Sequence, residues 1–281
     1  MITFDKLGTH GRFGNQLFQY AALKSLALKN NYKVVLPALA GKEWHGQQCL
    51  FGGLRVEEEQ SDSAKGQIEY QEADGYSFNP NFFSTPDNSN LFGFFQNKEY
   101  FKEYLEQLKV SFSVKDEILQ RVERKFSEVA GLREHEKITS LHIRLGDLLD
   151  GKYNDVVLKG DHSSFIEKSI DMFSGDSDFL IFTGGSRDSL GQQRGDVKTL
   201  KSYFQKFRGN FIFSENNDTL TDFELMKMCD NHILSPLSTF SLWVGYLAEQ
   251  EKQVVVIKDY FLGVYNKRGS DSLYLDNWTK I

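Results

Sequence analysis

Cysteine is nearly missing from this 281-residue chain: Cys49 and Cys229 are the only two, far apart and in no metal-ligand spacing. A disulfide framework is thereby excluded as the source of the fold, and two reduced thiols in a cytosolic protein are the simplest account. Positive charge is also short. With a net charge of −6, no broad basic field exists to hold nucleic acid or an anionic membrane. A phosphate-bearing ligand has to be held by a few placed cations and by backbone amides. No apolar run approaches the length that spans a bilayer. Met1–Lys6 begins directly on a strand-like segment without the apolar stretch of a secretory signal, so the expected location is the cytoplasm. The six histidines form no His-x-x-x-His pattern, and no Gly-x-x-x-x-Gly-Lys phosphate loop occurs. No metal site is predicted.

What is present is ordinary globular material with an aromatic excess. Hydrophobic residues make up 40%, charged residues 26% and aromatics 14%, with 24 Phe, which reads as a thick core. The length suffices for two α/β domains. From Lys137 onward, strands and helices alternate. Strands are predicted at Lys137–Ile143, Asp178–Thr183, Asn210–Ser214, His232–Ser235 and Gln253–Lys258. Helices are predicted at Ser163–Phe173, Val197–Phe207, from a capping box at Thr221–Glu224 through Met228, and at Thr239–Glu249. Such alternation implies right-handed crossovers and a Rossmann-like parallel sheet covered on both faces. The first half is less regular. Ile2–Phe4, a helix from about Asn15 to Leu28, and Lys33–Pro37 make one βαβ unit. Gln67–Gln71 and Leu91–Gln96 read as further strands, Glu99–Leu108 and Val114–Val129 as helices. The expected division is an N-terminal α/β domain over 1–136 and a C-terminal Rossmann-like domain over 137–281.

Three segments carry chemistry. Gly8–Gln16, between the first strand and first helix, has glycines that permit positive φ, and the helix start that follows can face an anion or a sugar oxygen. From spacing alone it also reads as a tight strand-to-helix turn capped by Asn15. His142, Arg144 and Asp147 end the central strand, where open parallel sheets bind ligands. There Arg144 can grip a pyrophosphate with two parallel hydrogen bonds; it could instead pair with Asp147 to stabilise a turn. Ser235–Trp243 places Ser238, Thr239, Phe240 and Ser241 at a helix start, where hydroxyls cap the helix or meet a phosphate. Two anion-binding features at one sheet edge point to a diphosphate-linked donor. Asp176-Ser177-Asp178 looks like a metal-binding Asp-x-Asp but precedes its strand, at the amino end of the sheet, and reads as solvated loop acids.

Four motifs, in order, resemble the α-1,2-fucosyltransferase family (glycosyltransferase family 11). They are Gly11-Arg12-Phe13-Gly14-Asn15-Gln16-Leu17-Phe18-Gln19-Tyr20-Ala21, Gly93–Phe101, His142–Asp147, and Leu225–Cys229 taken with Ser238–Trp243. The resemblance implies a GT-B-like α/β architecture of two Rossmann-like domains facing a central cleft. It also implies a GDP-fucose donor, an oligosaccharide acceptor, inversion at the anomeric carbon, and no cofactor or metal. Catalytic roles fall on Arg144, Asp147 and Asn15. Donor binding falls on Gly11, Arg12, Gly14, His142, Arg144, Ser238, Thr239, Phe240 and Ser241. Asp147, His10 and Glu69 are the candidate bases. This chain departs from the family pattern at Leu145, Leu148, Leu242 and Gly184-Gly185. A transferase for another nucleotide sugar, a protein O-fucosyltransferase-like activity, and a non-catalytic sugar- or nucleotide-binding module are the alternatives.

Overall fold

The computed structural model describes residues 1–61, 63, 65–144, 162–184, 196–258 and 270–281. The chain divides by contact into two units: Met1–Asp116 with Asp271–Leu275, and Glu117–Ser270 with Asp276–Ile281.

In the first unit, Ile2 and Thr3 bridge in parallel to Val34 on one side and Asn90 on the other. Helix α1 (Phe13–Asn30) follows and ends where Asn31 turns left-handed at φ 57°, a conformation Asn tolerates at a helix end. Next come β1 (Val35–Leu36), the hairpin β2 (Glu43–Trp44) and β3 (Gln47–Gln48), then β4 (Glu59–Gln60), β5 (Ile68–Gln71) and β6 (Ser89–Phe92). Strand β4 pairs in parallel with β1, and β5 with β6. The N-terminal segment is thus the middle of a small parallel sheet. The helix expected at Glu99–Leu108 is instead two 3-10 turns, Lys98–Tyr100 and Lys102–Tyr104, before α2 (Leu105–Ser111). Tyr100 and Phe101 are both fully buried. Phe101 sits at φ −146° and ψ −10°, outside the helical region, so no α-helix runs through it.

The second unit opens with α3 (Asp116–Ala130), placed in the first domain by the sequence. Arg121 explains its grouping: the guanidinium bonds Thr221 Oγ1 at 3.1 Å and Asp218 Oδ2 at 2.7 Å. Then follow β7 (Lys137–Arg144), α4 (His162–Phe173), β8 (Ser177–Gly184), α5 (Asp196–Phe204) and β9 (Phe211–Phe213). The chain continues through α6 (Thr219–Met228), β10 (Asn231–Ile233), α7 (Thr239–Leu247), β11 (Val254–Val256) and β12 (Thr279–Lys280). All six strands are parallel, in the order β12-β11-β10-β7-β8-β9. Counted along the chain this is the 3-2-1-4-5-6 arrangement of a dinucleotide-type Rossmann sheet. Leu141, Ile143, Phe179, Ile181, Ile233 and Val255 from the strands pack on Phe165, Ile170, Phe173, Leu200 and Phe204 from the helices. Gly245 lets α7 lie close to the sheet, since a Cβ there would meet Leu234 and Trp278 at 2.8 Å. No described helix is long and apolar enough to cross a membrane.

Two local readings change. Helix α6 is capped not by Thr221 but by Asp218, whose side chain accepts from the Thr221 amide at 2.8 Å. Asp178 is not a solvated loop acid. It lies inside β8, fully buried, and accepts from the amides of Glu134 (2.5 Å) and His135 (3.1 Å) and from His135 Nδ1 (2.7 Å). Burial pushes its carboxyl up, but the His135 side chain and these amides outweigh that and hold it below the usual range. Asp178→Ala should therefore destabilise folding by about 1.5–3 kcal/mol, the worth of hydrogen bonds to a charged group. Urea unfolding checks this, and turnover per folded molecule should stay unchanged.

Candidate active site

In the second unit the chain leaves central β7 toward β8 on one side and returns to β10 on the other. The carboxyl end of β7 is therefore the topological switch point, where open α/β sheets bind ligands. Arg144 is its last residue, paired in register with Gly184. Its amide donates to Ser235 Oγ at 2.8 Å, and its guanidinium Nη1 donates to the Leu237 carbonyl. Leu237 has φ 58°, an uncommon conformation for a non-glycine residue. The Ser238 hydroxyl caps α7 by accepting from the Ser241 amide at 3.3 Å, and Ser241 Oγ donates back to the Ser238 carbonyl at 3.2 Å. One strand end and one helix start are thus laced into a single edge carrying a cation and a positive dipole end.

His142, on the same strand face as Arg144, is buried. Its ring lies 5.6 Å from Phe240, which packs 5.4 Å from Phe223. Burial first, then the Arg144 charge, pushes His142 down to about 3. Its Nδ1 is enclosed without a hydrogen-bond partner among the described residues. His232, one strand over, is pushed down to about 3 by burial and then by Lys252. Both rings are neutral at physiological pH. The stability gained by keeping each neutral is present above the ordinary value of 6.5 and is lost as pH falls toward 3. The stability of wild type relative to His142→Phe should accordingly drop by about 2 kcal/mol between about pH 7.5 and about pH 5, measured by urea unfolding.

In the first unit the loop after the N-terminal strand is held by glutamines. Gln16 Nε2 donates to the Gly11 carbonyl at 2.8 Å, and Gln19 Nε2 donates to His10 O at 2.9 Å and Gly93 O at 3.2 Å. Gly11 has φ 85°, and a Cβ there would lie 2.7 Å from the Asn15 Cβ. Arg12, half-buried, sits at the cap position of α1 without a side-chain cap bond, and Gly14 is buried in the first turn. Asn15 is not the cap. It is the third residue of α1, and its Oδ1 accepts from Gln96 Nε2 at 3.0 Å. Two motifs far apart in sequence, Gly11–Ala21 and Gly93–Phe101, are thereby joined by side-chain hydrogen bonds. His10 stacks on Phe94 at 4.4 Å and meets Phe92 and Trp44 at 4.9 and 5.6 Å. Burial lowers its pKa. Glu69 is exposed and accepts from Asn90 Nδ2 at 2.9 Å.

The structure brings Arg144, His142, Ser238, Thr239, Phe240 and Ser241 to one edge of the second unit, and Gly11, Arg12, Gly14 and Asn15 to one loop end and helix start of the first. Thr239 and Phe240 are half-buried, whereas Ser241 is fully buried beneath the turn. Asp147, with Leu145 and Leu148, lies outside the described residues. Sequence reasoning missed Glu72, which accepts from the amides of Phe94 and Phe95 at 2.7 Å each. No local pattern marks it among the neighbouring acids.

Two units, each built on a parallel sheet, and an arginine at a Rossmann switch point define an α/β protein of the GT-B-like class. Solved structures agree. A POFUT1 structure in complex with GDP matches with TM-score 0.56 at 12% identity, covering 90% of this chain and 96% of that one. The fucosyltransferase NodZ from Bradyrhizobium matches with TM-score 0.53 at 14% identity, covering 88% and 92%. The chain belongs to glycosyl transferase family 11, whose model matches residues 3–281. Galactoside alpha-(1,2)-fucosyltransferase 1 of Rattus norvegicus is 27% identical over 96% of this chain, which spans 65% of that protein's length. Galactoside alpha-(1,2)-fucosyltransferase 2 of Rattus norvegicus is 25% identical over 99% of this chain, which spans 70% of it.

Proposed function

We propose that this chain transfers L-fucose from GDP-fucose to a hydroxyl of a galactoside, in α-1,2 linkage, with inversion and without a divalent metal. Family membership and the names of the two rat relatives support the acceptor class. The donor is supported by a POFUT1 structure solved with GDP-fucose, matched at TM-score 0.53 and 14% identity. The observation that carries the reading is Arg144 at the switch point, its guanidinium anchored on the Leu237 carbonyl beside the start of α7.

In this reading the second unit holds the GDP moiety. The acceptor hydroxyl oxygen bonds to the fucosyl anomeric carbon from the face opposite the leaving group. The bond from that carbon to the diphosphate oxygen breaks, and the electron pair leaves with GDP. The Arg144 guanidinium and the first-turn amides of α7 neutralise the charge that grows there, an interaction made chiefly in the transition state. The acceptor proton passes to a base, for which Asp147 is the candidate nearest in sequence to Arg144. Neutral His142 forms an uncharged wall beside the cation, and the Asn15 amide supplies hydrogen bonds to a sugar.

The test is an acceptor screen with GDP-fucose followed by linkage analysis of the product. An α-1,2-fucosylated galactoside is the expected product. Turnover of another nucleotide sugar in its place, or tight GDP binding with no transfer to any acceptor, would replace the reading. Exhaustive chelation should leave the initial rate within about twofold, since the counter-charge is a guanidinium rather than an ion; a rate restored only by added divalent metal contradicts the metal-independent step.

A further inference from the structure

We infer that Glu72 is a positioning residue for Asn15, acting through the Gly93–Gln96 turn. The inference rests on the proposed reading that Asn15 meets a substrate sugar, and it concerns the first unit alone.

Glu72 directly follows β5 and is buried at 6% exposure. Its own amide donates to the Phe92 carbonyl at 2.9 Å, continuing the β5–β6 pairing. Its Oε2 then accepts from two consecutive amides, Phe94 and Phe95, at 2.7 Å each. Those amides need a side-chain acceptor because the turn they occupy has no regular backbone partner for them. Gly93 has φ 153° and no room for a side chain: a Cβ there would lie 2.4 Å from Glu72 Cβ and 2.6 Å from its Oε2. Phe95, fully buried, is left-handed at φ 53°. Such a backbone persists only where its surroundings over-determine it.

What the turn delivers is Gln96. Its amide donates to the Gly75 carbonyl at 3.1 Å, and its side-chain Nε2 donates to Asn15 Oδ1 at 3.0 Å. That bond orients the Asn15 amide: Oδ1 turns to Gln96, and the NH₂, the donor end, faces away from it. Gln19 adds a second tie, to the Gly93 carbonyl at 3.2 Å. The order of dependence runs from Glu72 to the turn, from the turn to Gln96, and from Gln96 to Asn15.

Hydrogen exchange of the Phe94 and Phe95 amides and steady-state kinetics test this on the full chain. Glu72→Ala should abolish protection at both amides and lower kcat about ten- to a hundredfold, with the donor KM little changed, as expected for misplacement of a reacting group. Glu72→Gln keeps an oxygen for both amides and should retain protection and most of the turnover. Gln96→Ala, which leaves the carboxylate and turn intact, should keep protection yet lose as much kcat as Asn15→Ala. The double variant Gln96→Ala/Asn15→Ala should be no worse than Asn15→Ala alone. Unchanged protection in Glu72→Ala, equal losses in the Ala and Gln variants, or full activity in Gln96→Ala would each overturn the inference. A wild type inert toward every donor and acceptor would instead overturn the functional reading, while amide protection still decides the role of Glu72 in the turn.

Discussion

Replacing Arg144 by Ala is expected to lower turnover on the order of 10²–10³-fold, the cost of losing one donor aimed at charge that develops in the transition state. Arg144→Lys should recover little of it. A lysine carries the charge but not the planar fork that can hold the Leu237 carbonyl and grip a diphosphate together. The donor KM should rise far less than kcat falls if, as proposed, the interaction strengthens while the fucosyl–oxygen bond breaks. Steady-state kinetics give both numbers. Arg144 also anchors a strained loop at Leu237, so thermal unfolding must accompany the kinetics. A variant as stable as wild type but nearly inactive isolates the electrostatic role. One that keeps most of its turnover removes Arg144 from the mechanism.

The second large effect belongs to Gly11. At φ 85° an alanine is strained, and its methyl would sit 2.7 Å from Asn15 Cβ and 2.9 Å from Asn15 Nδ2. The backbone conformation alone costs about 1–3 kcal/mol. The steric conflict falls on the residue held by Gln96, and its relief requires Asn15 to move. Gly11→Ala is therefore expected to lose about 1–3 kcal/mol of stability and roughly a hundredfold in kcat, the scale of a displaced reacting group. Chemical unfolding and kinetics at a temperature where the variant is folded separate the two losses. Full activity in a folded Gly11→Ala variant would mean that the position of Asn15 does not matter to transfer.

Legibility in the sequence follows how locally each feature is determined. Strand β7 was visible because Ile138, Thr139 and Ile143 are β-branched and Leu141 is apolar, a composition that suits a strand buried on both faces. Its neighbours β8 and β10 were bracketed in the same way, and their alternation with helices sufficed to place Arg144 at a ligand-binding edge. Helix starts depend on more distant partners. Thr221–Glu224 satisfied a capping pattern, yet Asp218 offers a carboxylate at the same spacing from the Thr221 amide and also pairs with Arg121, a partner nearly a hundred residues away that local sequence cannot reveal. Asp178 shows the same limit: nearby Asp176 suggests solvent, but His135 and two backbone amides take up its carboxylate. In the first unit, strands of two residues carry almost no periodic signal, and the lacing of Gly93–Gln96 to Asn15 depends on Glu72, one acid among several. The candidate edges were readable from motifs; their supporting hydrogen bonds were not.

The central claim is that the diphosphate of the donor is held by Arg144 at the carboxyl end of β7. A crystal structure of this chain with GDP bound tests it most directly. A β-phosphate oxygen is expected within hydrogen-bonding distance of the Arg144 guanidinium, beside the first turn of α7, with no metal ion on the phosphates. A diphosphate bound away from Arg144, or one coordinated by a cation in place of the guanidinium, would contradict it.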